Sequence, residues 1–372
     1  MCYNAQTRTD QEQRVEGKLR IALAGAGFGE KYLVGLLGNP EVEVMGIFSR
    51  RQERAAEMAD KYGLPFRTRH YAELLQLPHL DAVAVVTPNS THVEFVMAAL
   101  RARKHVICDK PLALNGLEAT ELRQFAEAVA VRHVTFVPYR FSPASLAMKR
   151  AMAEGKVGRV IRVRAVWGVD LRKEPLRWRF QSRLSGPGVL TDLGAHILDL
   201  LLWWAGPIRR VLGQCRTLVP QRPAEIGGLI KEVDVPDEAS GLLEFARSGI
   251  GSLHLSWNAT RDQKIEIEGD AGTLTYTSPS LLQWLEGRGA FSPSVTFAPR
   301  GGAPQSLPLP EMTRFSSQPA ALQWMFGQIV AYLRGEARPE TVATFADGAA
   351  ALRVIDALAA DDGKWQDVPP ER

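Results

Sequence analysis

Cysteine is scarce in this sequence. The 372 residues include three cysteines, Cys2, Cys108 and Cys215, which lie far apart. An odd number at this spacing supports neither a disulfide framework nor a CxxC metal site. Such chains are typical of a reducing compartment. We therefore expect a cytoplasmic protein that holds no metal.

Long apolar runs are also absent. The apolar stretch 198–205 is interrupted by Asp199 and ends before Gly206, so it is too short to span a bilayer. Residues 1–18 are polar and lack the apolar centre of a signal peptide. The sequence therefore predicts no membrane association, and we expect residues 1–18 to be a flexible extension.

Blocks of like charge are missing as well. The formal net charge is +4, and acidic and basic residues are interspersed. Proteins that bind nucleic acid or membrane surfaces carry runs of lysine and arginine. The sequence therefore predicts a small-molecule ligand and no nucleic acid.

The N-terminal half alternates short apolar runs with amphipathic stretches. The run DAVAVV at 81–86 is almost wholly apolar, as expected of a strand covered by helices on both faces. Strands are predicted at 18–24, 42–48, 81–86, 105–108 and 134–137, and helices at 30–37, 52–62, 92–103 and 116–129. This alternation predicts an α/β fold, with a doubly wound parallel sheet of the Rossmann type at 19–140.

The pattern changes after residue 140. Ser142 and Pro143 suit the N-cap and first residue of a helix that ends near Glu154. Further elements are predicted as a strand at 160–169, a helix at 190–204, four antiparallel neighbouring strands at 242–245, 250–257, 263–269 and 272–277, an irregular connection at 290–310, and helices at 320–334 and 343–359. Residues 141–372 are therefore expected to form an α+β domain with a large, mostly antiparallel, open-faced sheet.

A glycine-rich turn, GAGFG, follows the first predicted strand. Glycine permits a tight turn there and lets a pyrophosphate approach the N–H groups at the start of a helix. The last glycine stands at position 29, and Glu30 occupies the place that a glycine has in GxGxxG. Its position in the first β–α turn still predicts a dinucleotide site formed by Gly25, Gly27, Phe28 and Gly29.

The end of the second predicted strand indicates which dinucleotide is bound. A carboxylate about twenty residues after the glycine turn would bind the ribose hydroxyls of NAD. Ser49, Arg50 and Arg51 stand there instead, and guanidinium groups suit a 2′-phosphate. NADP is therefore favoured and NAD is the alternative; a solvated helix face is the other interpretation of the two arginines.

Further motifs give the sequence a family resemblance. TPNSTH at 87–92 and DKP at 109–111 resemble the TPxxxH and EKP segments of the Gfo/Idh/MocA oxidoreductases, the relatives of glucose–fructose oxidoreductase and inositol dehydrogenase. The segments GKVG at 155–158, GPGVLTDLGAH at 186–196 and EGDAGTL at 268–274 extend the resemblance to nearly everything after residue 18. Asp109 replaces the usual glutamate, and Pro187 interrupts the usual run of glycines.

The resemblance implies a nicotinamide cofactor and places Lys110 between nicotinamide and substrate. The cofactor-binding residues that it adds are Thr87, Pro88, Asn89, His92, Asp109 and Lys110. A lysine at the carboxyl end of a parallel strand lies where α/β sheets bind ligands. Its ammonium would stabilise alkoxide character on the reacting hydroxyl.

Asp192 and His196 are four residues apart in a predicted helix and so share a face. An imidazole can exchange the hydroxyl proton during hydride transfer, and a carboxylate can orient the substrate or bias the imidazole. The alternatives are a surface pair and a metal pair. No further histidine or cysteine lies at ligand spacing, which argues against a metal.

The segment 171–183 supplies candidate substrate contacts. Trp178 can stack on a pyranose face, and Arg179 can bind an anionic group attached to the sugar. Arg140, at the domain junction, is a third candidate contact to substrate or nicotinamide. A solvated loop or a subunit contact is the other interpretation of the charges in this segment.

Together these residues predict hydride transfer, with Lys110, Asp192 and His196 as the catalytic residues. The leading hypothesis is an NAD(P)-dependent dehydrogenase or ketoreductase acting on a secondary alcohol or ketone of a sugar, sugar derivative or cyclitol. A nicotinamide-retaining glycoside hydrolase of the same family and a non-catalytic NAD(P)-binding sensor are the alternatives.

The open face of the predicted C-terminal sheet indicates self-association. Leu253, Leu255 and Trp257 are expected on this face, where they would need a partner sheet. With the support of the family resemblance, we expect a homodimer or homotetramer.

Overall fold

The computed structural model describes residues 17–247, 249–259, 263–279, 281–360 and 362–370. Residues 1–16 of the expected N-terminal extension lie outside the described residues.

Six parallel strands form the N-terminal sheet, in the order β3-β2-β1-β4-β5-β6. The strands are β1 (Leu19–Ala24), β2 (Val42–Phe48), β3 (Arg67–Thr68), β4 (Ala82–Val85), β5 (His105–Asp109) and β6 (His133–Phe136), and the helices are α1 (Gly29–Leu37), α2 (Gln52–Tyr62), α3 (Tyr71–Leu75), α4 (His92–Arg101) and α5 (Gly116–Ala128). The predicted doubly wound sheet is confirmed. Its strand order reverses between β1 and β4, which opens a crevice at the carboxyl ends of the strands.

Nine strands form the C-terminal sheet, in the order β16-β15-β14-β13-β7-β12-β11-β8-β17. The strands are β7 (Val160–Gly168), β8 (Ile208–Arg216), β11 (Glu238–Phe245), β12 (Ile250–Ser256), β13 (Gln263–Gly269), β14 (Gly272–Thr277), β15 (Ser294–Pro299), β16 (Gln305–Ser306) and β17 (Gln366–Asp367), and a separate hairpin contains β9 (Gln221–Pro223) and β10 (Ile230–Glu232). The helices are α6 (Pro143–Ala153), α7 (Ser182–Ser185), α8 (Ala195–Ala205), α9 (Leu281–Leu285), α10 (Gln318–Leu333) and α11 (Phe345–Ala359).

Two expectations about this sheet were wrong. β12 and β13 are not neighbours, because β7 lies between them and pairs with β12 in parallel. The earlier strand enters the sheet from a distant part of the chain, which local patterns do not reveal. The segment 290–310, expected to be irregular, contains β15 and β16.

The placement of three apolar residues on the open face was also wrong. Leu253, Leu255 and Trp257 are at most 3% exposed and belong to the hydrophobic core. The exposed side of the sheet carries charged pairs, among them Arg164 with Glu266, together with the exposed apolar side chains of Leu242 and Ile250. These three apolar side chains therefore give no support to self-association through this face.

The last two helices return to the N-terminal domain. Phe326 of α10 packs against Tyr32 of α1, with ring centroids 4.8 Å apart. The N–H of Thr135 in β6 donates to the carbonyl oxygen of Ala343, just before α11. These contacts hold α10 and the start of α11 against the N-terminal domain.

One helical stretch, Ser182–Ala205, is long and apolar enough to cross a membrane on those two criteria alone. However, 78% of its apolar window is buried inside the structure. It runs through the core beside the cleft, where it positions two candidate catalytic residues.

Two buried histidines should make the free energy of unfolding sensitive to acid. The Nδ1 atoms of His105 and His133 accept hydrogen bonds from the N–H groups of Arg132 (2.9 Å) and Phe345 (3.1 Å), so both rings must be neutral. Burial lowers the pKa of each to about 4. The unfolded chain binds these protons first as the pH falls, so moving from pH 7 to 5 should cost roughly 2 kcal/mol of unfolding free energy per histidine.

Denaturant unfolding at several pH values tests this prediction. The double variant H105N/H133N keeps an acceptor oxygen near each N–H but cannot titrate. Its unfolding free energy should fall less steeply than that of the wild type below pH 7. Equal slopes in the two proteins would contradict the assignment.

Candidate active site

A cleft of about 850 Å³ lies at the carboxyl ends of the N-terminal strands and extends towards α8. Most of the predicted site residues line it together: Gly25, Gly27, Phe28, Ser49, Arg50, Arg51, Thr87, Pro88, Asn89, Asp109, Lys110, Trp178, Arg179, Asp192 and His196. Gly29, His92 and Arg140 are not among its lining residues. The fold thus brings the glycine turn and the three candidate catalytic side chains to one site.

The three glycines of the turn have different roles. Gly25 has a φ of +121°, and a Cβ there would overlap the carbonyl oxygen of Val86. A Cβ on Gly29 would lie 2.9 Å from Cδ2 of Leu23, so this displaced glycine lets α1 pack closely on β1. A Cβ on Gly27 would meet no atom within 4 Å. Gly27 therefore leaves room at the cleft wall, and this cradle fits a dinucleotide pyrophosphate.

Ser49, Arg50 and Arg51 line the cleft directly after β2. The Ser49 hydroxyl oxygen accepts a hydrogen bond from the N–H of Arg51 (3.2 Å). Within the described residues, neither arginine forms an ion pair with a carboxylate. Both guanidinium groups are therefore available to an anionic part of a ligand.

His92 does not line the cleft, in contrast to its expected role as a cofactor contact. Its ring is buried, with Nδ1 2.7 Å from the carbonyl oxygen of Pro111 and Nε2 2.8 Å from that of Thr87. The imidazole thus links the loop after β4 to the loop after β5 on the side away from the cleft. His92 supports the two loops that carry Thr87 and Lys110.

Lys110 contacts Asp192 twice. Its Nζ donates to the main-chain oxygen of Asp192 (2.8 Å) and to Oδ1 (3.1 Å). Asp192 lies in a π-helical turn, Leu190–Gly194, which directly precedes α8. Such wide turns occur frequently at functional sites, and this one presents both the carbonyl and the carboxylate to the lysine.

Asp192 has two further partners. Its Oδ2 atom lies 3.2 Å from Nε of Arg179 and accepts a hydrogen bond from Nε1 of Trp257 (3.1 Å). Burial alone would raise the pKa of Asp192, but the charges of Arg179 and Lys110 outweigh it and hold the pKa well below its usual value. Asp192 is therefore ionised at physiological pH and is placed to position the Lys110 ammonium.

His196 is the group best placed to exchange a proton. Both of its ring nitrogens are buried and have no hydrogen-bond partner among the described residues, and the side chain lines the cleft. Burial lowers the pKa of His196 well below its usual value, and the charge of Lys110 adds to this effect. The ring is therefore neutral at physiological pH and can accept a proton.

Asp109 shows how the departure from glutamate is accommodated. Its Oδ1 atom accepts a hydrogen bond from the hydroxyl of Tyr32 on α1 (3.2 Å). Burial raises the pKa of Asp109 to about 6, although the nearby charge of Lys110 opposes this. The shorter carboxylate is thus held against α1, beside Lys110.

Arg140 was expected to contact substrate or nicotinamide, and the structure corrects this expectation. Its guanidinium is buried in a two-point ion pair with Asp199 (2.7 and 2.8 Å) and a third contact to Asp347 (2.9 Å). Asp347 also caps α11, together with Thr344. Arg140 therefore ties the domain junction to α8 and α11, and it is the partner of Asp199 on α8.

Several contributors were not predicted from the sequence. Trp257, expected on an exposed face, is the indole partner of Asp192, and Tyr32 is the partner of Asp109. The additional lining residues are Ala26, Glu30, Lys31, Phe48, Val86, Phe95, Pro138, Arg177, Ser185, Thr191, Leu282 and Glu286. Within the part of the chain that the structure describes, no cluster of three or more histidine, cysteine or carboxylate side chains could hold a metal ion.

Each of the two domains matches a known family model. Residues 19–137 match the model of the oxidoreductase family with an NAD-binding Rossmann fold, and residues 145–275 match the GFO/IDH/MocA C-terminal domain. The chain belongs to the Gfo/Idh/MocA family.

Three relatives within the Gfo/Idh/MocA family are named as oxidoreductases of sugars, sugar derivatives or cyclitols. Levoglucosan dehydrogenase of Pseudarthrobacter phenanthrenivorans is 32% identical over 60% of this chain and 62% of its own length. Myo-inositol 2-dehydrogenase of Thermotoga maritima is 30% identical over 69% of this chain and 74% of its own. 1,5-Anhydro-D-fructose reductase of Ensifer adhaerens is 31% identical over 68% and 74%.

Solved structures extend the similarity to nearly the whole chain. A levoglucosan dehydrogenase in complex with NADH and L-sorbose has a TM-score of 0.82 and 26% identity, and the match covers 95% of this chain and 99% of that one. The Gfo/Idh/MocA fold, with its parallel sheet followed by a mostly antiparallel one, is therefore the fold of this protein.

Proposed function

We propose that this chain is an NADP-dependent dehydrogenase or ketoreductase that acts on a secondary alcohol or ketone of a sugar, sugar derivative or cyclitol. The observation that carries the proposal is the meeting of Lys110, Asp192 and His196 in the cleft that also holds the glycine turn. The names of three relatives, levoglucosan dehydrogenase, 1,5-anhydro-D-fructose reductase and myo-inositol 2-dehydrogenase, support the substrate class.

Each side chain has a distinct task in this reaction. When NADP is bound, its nicotinamide supplies the hydride chemistry. Lys110 donates to the reacting oxygen and stabilises the negative charge that develops on it. Neutral His196 takes the hydroxyl proton during oxidation and returns it during reduction. Asp192 holds the Lys110 ammonium in place through both of its contacts.

The cofactor would lie along the carboxyl ends of β1 and β2. The N–H groups around Gly27 would face the pyrophosphate, for which the open space at this glycine leaves room. Arg50 and Arg51 would bind the 2′-phosphate of NADP, because both line the cleft and neither is paired within the described residues. None of the cleft-lining residues 48–51 is a carboxylate that would favour the ribose hydroxyls of NAD.

Cofactor preference provides one test. Replacing both arginines in R50A/R51A should weaken NADPH binding about 10- to 100-fold, the usual loss for charge-assisted contacts. NADH binding should change little, and the S49D variant should shift preference towards NADH. Fluorescence titration of the wild type and both variants with NADPH and with NADH measures these affinities. Equal losses for the two cofactors would refute the 2′-phosphate assignment.

Substrate oxidation tests the reaction itself. The wild-type protein is incubated with NADP⁺ or NAD⁺ and a panel of free, phosphorylated and nucleotide-linked sugars and cyclitols, and reduced nicotinamide is measured by absorbance. We expect cofactor reduction with members of the panel. Tight NADP binding without reduction by any of them would contradict the proposed activity.

A further inference from the structure

The segment 171–180, which precedes α7, is anchored by buried side chains. Arg222 of β9 is 1% exposed, and its Nη1 donates to the carbonyl oxygens of Leu171 (2.6 Å) and Glu174 (2.9 Å). Its guanidinium lies 4.1 Å from the ring centroid of Phe180. Phe180 in turn packs edge-on against Trp257, the partner of Asp192. Both ends of the segment 171–180 are therefore anchored to the core of the site.

This anchored segment presents an arginine to the cleft. Trp178 and Arg179 both line it, and the Arg179 guanidinium lies 5.4 Å from the Trp178 ring centroid. Nε of Arg179 faces Asp192. The two Nη groups make no hydrogen bond to any residue within the described parts of the chain, and the side chain is 37% exposed. The outer edge of the guanidinium is thus left for a ligand.

The charges around this edge leave Arg179 incompletely neutralised. Asp192 is shared between Arg179 and Lys110. Asp109 accepts a hydrogen bond from Tyr32 and forms no ion pair with Arg179 among the described residues. The neighbouring Arg177 differs, since Glu225 lies 2.9 Å from its guanidinium. Arg179 is therefore the cleft-lining cation of this segment that can still accept an anionic partner.

We propose that the substrate carries an oxyanion, a carboxylate or a phosphate, in addition to the reacting hydroxyl, and that the Nη groups of Arg179 bind it. This inference rests on the proposed function and specifies its substrate class. Two parallel N–H groups on a planar edge match the oxygens of such a group. Because the segment is anchored, little ordering entropy is lost on binding. The Trp178 ring would cover an apolar face of the same substrate.

Matched substrate pairs provide the test. We would compare kcat/KM for D-glucuronate with D-glucose, D-galacturonate with D-galactose, and D-glucose 6-phosphate with D-glucose, and titrate each compound into the NADP⁺ complex by tryptophan fluorescence. The charged member should be favoured about 10- to 100-fold, as charge-assisted hydrogen bonds predict. The uronates and the phosphate ester distinguish the two oxyanions.

Two variants make the test specific. R179Q should abolish the preference for the charged member, in kcat/KM and in binding. R183Q removes a charge from α7, which follows this segment, at a residue that does not line the cleft, and it should leave the preference intact. Rescue of the preference by R179K would exclude a purely structural effect of the substitution.

The negative outcomes separate this inference from the proposed function. If neutral and charged compounds react equally well, or if R179Q leaves the ratio unchanged, the oxyanion site is overturned and the dehydrogenase assignment stands. If NADP⁺ binds but neither these compounds nor any member of the wider sugar and cyclitol panel binds or reacts, both are overturned.

Discussion

The K110M variant should lose turnover on the order of 1,000-fold while its affinity for NADPH stays nearly unchanged. The loss is that expected when one preorganised donor to a developing oxyanion is removed. Lys110 donates to two oxygens of Asp192, so its ammonium is already fixed before the substrate arrives. Methionine keeps an unbranched apolar side chain that is only one atom shorter, and it removes the charged donor.

The fold should survive this substitution. Asp192 would still have Arg179 and Trp257 as partners, so no unpaired carboxylate would be buried. Steady-state kinetics, NADPH titration and thermal unfolding of the same preparation separate the effects. If kcat stays within a few-fold of the wild type with an unchanged Tm, Lys110 does not act on the reacting oxygen.

Asp192 provides an internal control for Lys110. Since the carboxylate acts through the lysine, D192N alone should lower kcat, whereas adding D192N to K110M should cost little more. Residues that act as one unit show this kind of non-additivity. Fully additive losses would mean that Asp192 contacts the substrate independently.

Replacing His196 with asparagine should lower kcat about 100- to 10,000-fold, the range typical of a lost general acid–base. Both ring nitrogens are free of partners within the described residues, so the loss would come from the proton transfer itself. Because burial and Lys110 lower the pKa of the ring, wild-type kcat/KM for oxidation should fall only at acidic pH. The H196N variant should lack this acidic fall.

A control histidine keeps the second prediction specific. His70 is exposed and does not line the cleft, so H70N should retain both the rate and the acidic fall. An H196N variant with a wild-type pH profile would exclude His196 as the proton acceptor.

The parts of the fold that could be predicted are those specified by local sequence. Parallel strands buried on both faces appear as continuous apolar runs, and glycine turns mark where they end. The position of β7 between β12 and β13 depends on pairing across a hundred residues. Alternation within one strand gives a face but not its partner, which is why Trp257 was placed on the wrong side of the sheet.

The site shows the same division. Lys110, Asp192 and His196 lie within sequence motifs, so the family resemblance predicted that they form one active site. The pairing of Arg140 with Asp199 and Asp347 has no local signal, because the three residues come from distant segments. The role of Gly29 also has no local signal. It becomes clear only in the structure, where a Cβ at this position would collide with the side chain of Leu23.

Deuterium transfer tests the central claim most directly. A reactive substrate labelled with deuterium at its carbinol carbon is incubated with NADP⁺, and the reduced cofactor is examined by mass spectrometry. Direct hydride transfer in this cleft predicts one deuterium on the nicotinamide with the wild-type protein and almost none with K110M. Release of a sugar with no label retained on the cofactor would contradict a net dehydrogenase and favour glycoside cleavage through transient oxidation.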